Sequence, residues 1–343
     1  MAFLETPSSS PSSGLKVRRT LGSHSPVKVS PVCLGAYSCG SGWEQCGTGQ
    51  MSQEDSFRRF DLFVEFGGNF IDTINNDQQG ESERRVGQWM KERDNRKELV
   101  IATKYTAGYK GEAKASKIDY GQNSVDSASV SIGISLKNLQ TSYIDILYVD
   151  FWDWTASIEE MMESLDVFVK DGKVLYLGVS DTPAWVVSQA NQYARDHGLA
   201  PFSVYQGHWS LLLRDFQLEI LPMCVSEGMA LCPWGEIIPD KSQPHGGRTK
   251  RFAEGENSTL YAIAKELGTL SVTAIALAYG LRKFPFIFPI IGERKLEHYH
   301  AKITSLSLRL TQDHIKKIEG VSDDQQESSD KVVREISFGC IRS

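Results

Sequence analysis

Long apolar runs are missing from the 343 residues: no stretch of 18 reads as a membrane span, so no membrane partner is expected. The first residues lead into a Ser/Pro run at 7–13 with no apolar segment, so no secretory signal is read and the cytoplasm is the expected location. Metal and disulfide motifs are missing too. Cys33, Cys39, Cys46, Cys224, Cys232 and Cys340 form no C-x-x-C pair and have no histidines at zinc-ligand spacing, so reduced thiols are expected. Basic charge is in short supply. Thirty-seven Lys and Arg against 43 Asp and Glu leave a net charge of −6, which provides no field for a polyanion. Nucleic acid is a poor partner, and a small molecule is the better one. A dinucleotide fingerprint also fails, since Gly40-Ser41-Gly42-Trp43-Glu44-Gln45 puts Gln45 where G-x-G-x-x-G needs its third glycine. At the C-terminus, Cys340-Ile341-Arg342-Ser343 spaces a cysteine as a prenylation signal does. Arg342 stands where an aliphatic residue belongs and no polybasic run precedes it, so an unmodified thiol is expected.

What is present is an ordinary globular composition, 41% hydrophobic and 23% charged, enough to bury a sizeable core. Short apolar runs at 31–37, 69–73, 99–105, 144–151, 174–181, 203–209, 229–235 and 286–292 alternate with longer amphipathic ones at 52–66, 81–93, 123–139, 158–170, 184–197 and 216–227. Parallel strands joined by crossover helices give that pattern. Eight strands at similar spacing, with no repeat and no composition break, predict one α/β domain, a (β/α)8 TIM barrel over residues 15–321. Leu15 to Arg19 and Val27 to Val29, flanking Gly22 to Pro26, predict a hairpin ahead of it. Residues 1–14 and 322–343 read as polar tails, disordered and mobile, and 237–255 as a surface loop rich in Pro and Gly.

Chemistry in such barrels sits at the C-terminal ends of the strands. Here Asp72 closes the second strand, Lys104 the third, Asp150 the fourth, Ser180 and Asp181 the fifth, Gln206 the sixth and Trp234 the seventh. Each alone has a bland reading as a cap or surface residue. Together they are harder to dismiss. A lysine after Val100-Ile101-Ala102-Thr103 on a buried strand needs a partner, and the carboxylates of neighbouring strands supply one.

Asn69-Phe70-Ile71-Asp72-Thr73 followed by Gly80-Glu81-Ser82-Glu83, then Ala102-Thr103-Lys104-Tyr105, Tyr143-Ile144-Asp145-Ile146-Leu147-Tyr148 and Gly178-Val179-Ser180-Asp181, resemble the aldo-keto reductases. The resemblance runs from about Lys16 to Leu310. It is nearest to the fungal norsolorinic acid reductase and aryl-alcohol dehydrogenase branch, through Phe151-Trp152-Asp153, Ser203-Val204-Tyr205-Gln206-Gly207 and Arg294-Lys295-Leu296-Glu297-His298. The resemblance implies an Asp-Tyr-Lys-His tetrad in which the tyrosine protonates a carbonyl oxygen while a nicotinamide delivers hydride. Asp72 and Lys104 match two of the four. Where the family has its tyrosine this chain has Asp77, and where it has its histidine this chain has Asp150. One ammonium cannot neutralise three carboxylates, so one of them is expected to hold a proton near neutrality.

The resemblance further implies NADP(H) as cofactor. Ser180, Asp181 and Gln206 match positions that hold the nicotinamide carboxamide, Trp234 the position of a stacked aromatic, and Gly292, Arg294 and Lys295 the segment that binds the 2′-phosphate. Glu236, Ala301 and Lys302 depart from the branch pattern near the pyrophosphate and adenine.

Three functions compete. The first is an NADP(H)-dependent oxidoreductase acting on a carbonyl or alcohol of an aromatic or polyketide- or terpenoid-like secondary metabolite, with proton transfer through Asp77, Asp150 or water. The second is a non-redox acid–base enzyme, an isomerase, dehydratase or cyclase, on the same barrel. The third, a non-catalytic relative, fits least, because charged residues facing a pocket are costly to keep without a partner. A metal held by Asp72, Asp77 and Asp150 is disfavoured because Lys104 competes for the place. Trp152, Trp154, Trp185 and Trp209 are expected as packing or pocket wall, and His208 and His298 as structural or surface residues.

Overall fold

The computed structural model describes residues 14–42, 51–105, 123–209, 211, 215–234, 256–269, 271–292 and 306–320. Residues 1–13 of the first expected tail, the second tail, the 237–255 loop, Cys46, Glu236, Arg294, Lys295, His298, Ala301, Lys302 and Cys340 lie outside them.

Four of the described helices begin where the sequence supplies a serine cap. Ser52, Ser124, Ser157 and Ser271 each accept a hydrogen bond from the backbone N–H three residues on, at the starts of α1 (Gln53–Glu65), α3 (Val125–Asn138), α4 (Ile158–Lys170) and α8 (Val272–Lys283). α5 (Ala184–His197) and α6 (Ile220–Glu227) stop at Gly198 and Gly228, both at φ 65°. α2 (Glu81–Arg93), α7 (Glu256–Glu266) and α9 (Gln312–Gly320) complete the helical shell. α4 turns an apolar stripe of Met161, Met162, Leu165 and Phe168 inward, whereas α3 buries Ser127, Ser131 and Ser135 beside Ala128 and Ile132.

Eight parallel strands lie inside that shell: β3 (Cys33–Gly35), β4 (Phe70–Asp72), β5 (Val100–Tyr105), β6 (Ile144–Val149), β7 (Val174–Ser180), β8 (Phe202–His208), β9 (Ala230–Trp234) and β10 (Ile290–Ile291). Their order is β10-β3-β4-β5-β6-β7-β8-β9. The two ends meet through a parallel bridge between Leu231 and Ile287, so the sheet rolls into the expected barrel.

Side-chain alternation then sorts each strand between two cores. Phe70, Val100, Ala102, Ile146, Tyr148, Val204, Ala230 and Cys232 pack inside the barrel, whereas Ile71, Ile101, Leu147, Leu177, Val179, Tyr205 and Leu231 pack against the helices. A hairpin of β1 (Arg19–Gly22) and β2 (Ser25–Val29) adds Leu21 and Val29 to the inner core. Ser23 Oγ donates to the Gly228 carbonyl at 2.8 Å, which ties this hairpin to the turn before β9, at the N-terminal end of the barrel.

Several boundaries differ from expectation, the first barrel strand among them, which keeps only Cys33–Gly35 of 31–37. The first hairpin arm is Arg19–Gly22, because Gly14–Lys16 coils into a 3-10 turn that buries Leu15 in the outer core. α6 begins at Ile220, after a separate 3-10 turn at Asp215–Gln217. The last strand keeps only Ile290–Ile291, since Pro289 has no N–H to offer a ladder.

Candidate active site

Strand parity aims one group of residues at the C-terminal mouth. In β5, Val100, Ala102 and Lys104 share the inner face. In β6 the same face carries Ile146 and Tyr148 and continues to Asp150. By the same alternation Asp72, Ser180, Gln206, His208 and Trp234 stand at the inward ends of their strands. Asp181 is out of phase, and its left-handed backbone, φ 42°, redirects it. Its Oδ1 lies 3.0 Å from where a Cβ on Gly207 would fall, so glycine there lets the carboxylate lie against β8.

Lys104 is the hub. Its buried Nζ donates to Asp72 Oδ2 at 2.7 Å and to the Thr73 carbonyl at 3.0 Å, and it lies 5.5 Å from the Tyr148 ring centroid. Gln206 Nε2 donates to the other oxygen, Asp72 Oδ1, at 3.0 Å. Both oxygens of Asp72 thus have a donor, which offsets the cost of burying the pair. Burial works against the Lys104 ammonium, yet Asp72, Asp150 and Asp77 together raise its pKa.

Asp77 and Asp150 both stand in the field of Lys104 and Asp72. Burial pushes Asp77 up to about 8; Lys104 pulls it back, while Asp72, Asp150 and Glu83 push it further. Burial likewise raises Asp150 to about 6, against Lys104 and with help from Asp181 and Asp72. A proton shared among these carboxyls was expected from charge balance, and desolvation turns out to be the larger cause. Asp77 sits on a turn, Asp77–Gly80, whose Gln78 and Gln79 both adopt left-handed backbone angles. Gln78 Nε2 donates to the Tyr37 carbonyl and Gln79 Nε2 to that of Gly42, both at 3.2 Å, so side chains brace the strained turn. Beside it, the buried Asn75 amide has neither its oxygen nor its nitrogen hydrogen-bonded.

Asp72, Asp77, Lys104 and Asp150 therefore form one cluster, with Gln206 hydrogen-bonded into it and Asp181 within its electrostatic reach. Trp234 is half-exposed, and His208 stacks on it with ring centroids 4.7 Å apart and planes 14° from parallel. Gly292 is tied to the first strand's end, where Tyr37 Oη donates to its carbonyl at 3.2 Å. His208 is exposed, but it belongs to the mouth. The available signal was its spacing of two from Gln206 on one strand. Trp152 and Trp209 are buried as expected. Trp154 and Trp185 are not: they stack on each other in the open, which excludes core packing for them and leaves the other expected place, the pocket wall. Two surface depressions, of about 760 Å³ between α1 and α2 and about 490 Å³ near the start of β5, do not touch the cluster.

The aldo/keto reductase family model matches residues 31–323. Norsolorinic acid reductase B of Dothistroma septosporum is 48% identical over 315 residues, covering 88% of this chain and 80% of that one. The NADP(+) aryl-alcohol dehydrogenase of Phanerodontia chrysosporium is 42% identical over 334 residues, covering 90% and 87%. Among solved structures, a thermostable aldo-keto reductase crystallised with the inhibitor epalrestat superposes with a TM-score of 0.72 at 20% identity, over 89% of this chain and 99% of that one, a likeness of fold. The chain, a (β/α)8 barrel with a lysine–carboxylate cluster at its mouth, belongs to the aldo/keto reductase family and is an enzyme of the carbonyl and alcohol oxidoreductase kind.

Proposed function

We propose that the protein is an NADP(H)-dependent oxidoreductase that reduces a carbonyl, or oxidises an alcohol, of an aromatic or polyketide- or terpenoid-like secondary metabolite, with Asp77 as the proton carrier. The observation that carries this reading is the Asp77 carboxyl, buried beside the Lys104 ammonium and holding its proton up to about pH 8. A carboxyl that is protonated at neutral pH can act as a general acid. Bound NADPH supplies the hydride. Asp77 O–H donates to the carbonyl oxygen, and Lys104 stabilises the carboxylate left behind. A carboxyl arm is shorter than a phenol, so a bridging water completes the reach for substrates held high in the mouth. In the oxidative direction the same carboxylate takes the proton back.

The donor set suits a nicotinamide carboxamide, which has two N–H donors and one acceptor. Asp181 would accept from its NH2 group, while Ser180 and Gln206 offer donors to its oxygen. The half-exposed indole of Trp234 would present a plane to the ring. Gly292, Arg294 and Lys295 would hold the 2′-phosphate. Burial raises the Asp181 pKa, and the His208 backbone N–H and side chain both hold it down.

Titration of the purified protein with NADPH, followed by cofactor fluorescence, tests the binding half of the proposal. NADPH oxidation with a panel of aryl aldehydes tests the chemistry. Asp77→Asn should slow turnover by about 10²–10⁴-fold while leaving cofactor affinity intact. A protein that binds no nicotinamide, or an Asp77→Asn variant with undiminished turnover, defeats the reading.

A non-redox acid–base enzyme is the second reading. It is favoured by two carboxyls set apart at about 8 and about 6, an acid and a base for one proton relay. Turnover in the absence of any nicotinamide would mark it.

A further inference from the structure

Six aromatic side chains are exposed among the described residues: Tyr37, Phe151, Trp154, Trp185, Trp234 and Tyr261. All but Tyr261 lie at or just after the C-terminal ends of barrel strands. Exposed apolar surface elsewhere is aliphatic, such as Val167 and Val225 on helices. Trp154 and Trp185, at 62% and 57%, are the two most exposed large hydrophobic side chains described. They meet with ring centroids 5.8 Å apart and planes 30° from parallel. Trp154 follows Asp150 by four residues in the loop after β6, and Trp185 follows Asp181 by four at the start of α5, after the adjacent strand β7. Four residues span at most about 14 Å, so the backbone of each tryptophan lies within that distance of the backbone of a mouth carboxylate.

The loop that carries Trp154 is fixed in place. Asp153 Oδ2 accepts from the Asn123 N–H, and Oδ1 accepts from the Thr155 N–H and Oγ1, at 2.9, 2.9 and 2.7 Å. Asn123 Nδ2 donates to the Phe151 carbonyl at 3.1 Å. Trp154 itself is in the left-handed region, φ 64°, which is uncommon for a bulky residue. A braced loop that holds an indole in a strained conformation and leaves it in water is pre-organised for a partner.

We propose that Trp154 and Trp185 form a stacking platform at the rim of the mouth that receives a planar fused-ring portion of the substrate while its reacting group sits at the Asp77–Lys104 cluster. This rests on the carbonyl-oxidoreductase reading for the reacting group, though not for the ring. Flat aromatic faces favour offset stacking with indole, and a puckered ring of equal hydrophobicity gains less from it.

Calorimetric binding with NADP+ present, so that no turnover occurs, separates these contributions. The probes are naphthaldehyde, naphthol and decalincarboxaldehyde, the saturated two-ring counterpart. Trp154→Ala with Trp185→Ala should weaken both naphthalenes about tenfold and change the decalin aldehyde less than about twofold. Trp154→Phe with Trp185→Phe should recover most of the loss. If the alanine pair fails to fold, a leucine pair compared with the phenylalanine pair asks the same question at similar bulk. Unchanged naphthalene affinity, equal weakening of all three probes, or a parent protein that binds neither naphthalene overturns the platform. Naphthol binding that depends on the tryptophans, in a protein that never oxidises NADPH, keeps the platform and removes the redox reading.

Discussion

A carboxyl group with a pKa of about 8 is largely protonated at neutral pH, and that follows from where Asp77 is buried as much as from what surrounds it. Its folded pKa lies above the ~3.9 of an exposed aspartate. The stabilisation linked to its proton is therefore complete below about pH 4 and is lost as pH rises through about 8. Asp77→Asn cannot ionise, so relative to the parent it should gain about 1.4 kcal/mol per pH unit between about pH 4 and about pH 8, on the order of 5 kcal/mol in all. Urea unfolding at acid and alkaline pH checks this, and parallel pH dependence in the two proteins would contradict it. The companion residue behaves oppositely under mutation. Lys104→Met leaves Asp72 buried without its cation and should cost about 3–5 kcal/mol, while adding Asp72→Asn should return part of the loss. A double variant no more stable than Lys104→Met would show that the pair is not coupled as its 2.7 Å contact implies.

At the scale of elements, the turn that presents Asp77 is, among the described residues, the one with two consecutive left-handed residues other than glycine. Gln78 and Gln79 are both left-handed, and Gly80 follows at φ 77°. Left-handed backbone costs a residue other than glycine about 1–2 kcal/mol. Gln79→Gly should therefore stabilise the protein by about 1 kcal/mol, less what is lost with its hydrogen bond to the Gly42 carbonyl. A raised Tm with slower turnover would mean that strain holds Asp77 in position; a lowered Tm would refute the strain. Strand positions were legible in the sequence because apolar runs are local signals, but strand lengths were not, since the runs at 31–37 and 286–292 keep only Cys33–Gly35 and Ile290–Ile291. The turn's handedness was not, since Gln at 78 and 79 carries no left-handed preference and obeys the packing of the loop after β3 instead.

Over the whole molecule, the two ends of the barrel do different work. The hairpin carries Leu21 and Val29 into the inner core at the N-terminal end, far from the carboxyl cluster. Leu21→Ala should cost about 2–5 kcal/mol in urea unfolding and leave NADPH affinity unchanged. Loss of affinity in step with stability would show that the ends are not independent.

The sequence by itself determined the barrel, the order of its strands and the identity of the residues at their ends, because periodicity and strand-end polarity are written locally. Tertiary structure alone decided the rest. Burial set the proton affinities of Asp77 and Asp150, a left-handed residue turned Asp181 toward its neighbours, and rim geometry left Trp154 and Trp185 facing water. Each depends on how much solvent and which charges surround a side chain once distant segments have met, and no single stretch of chain contains that information.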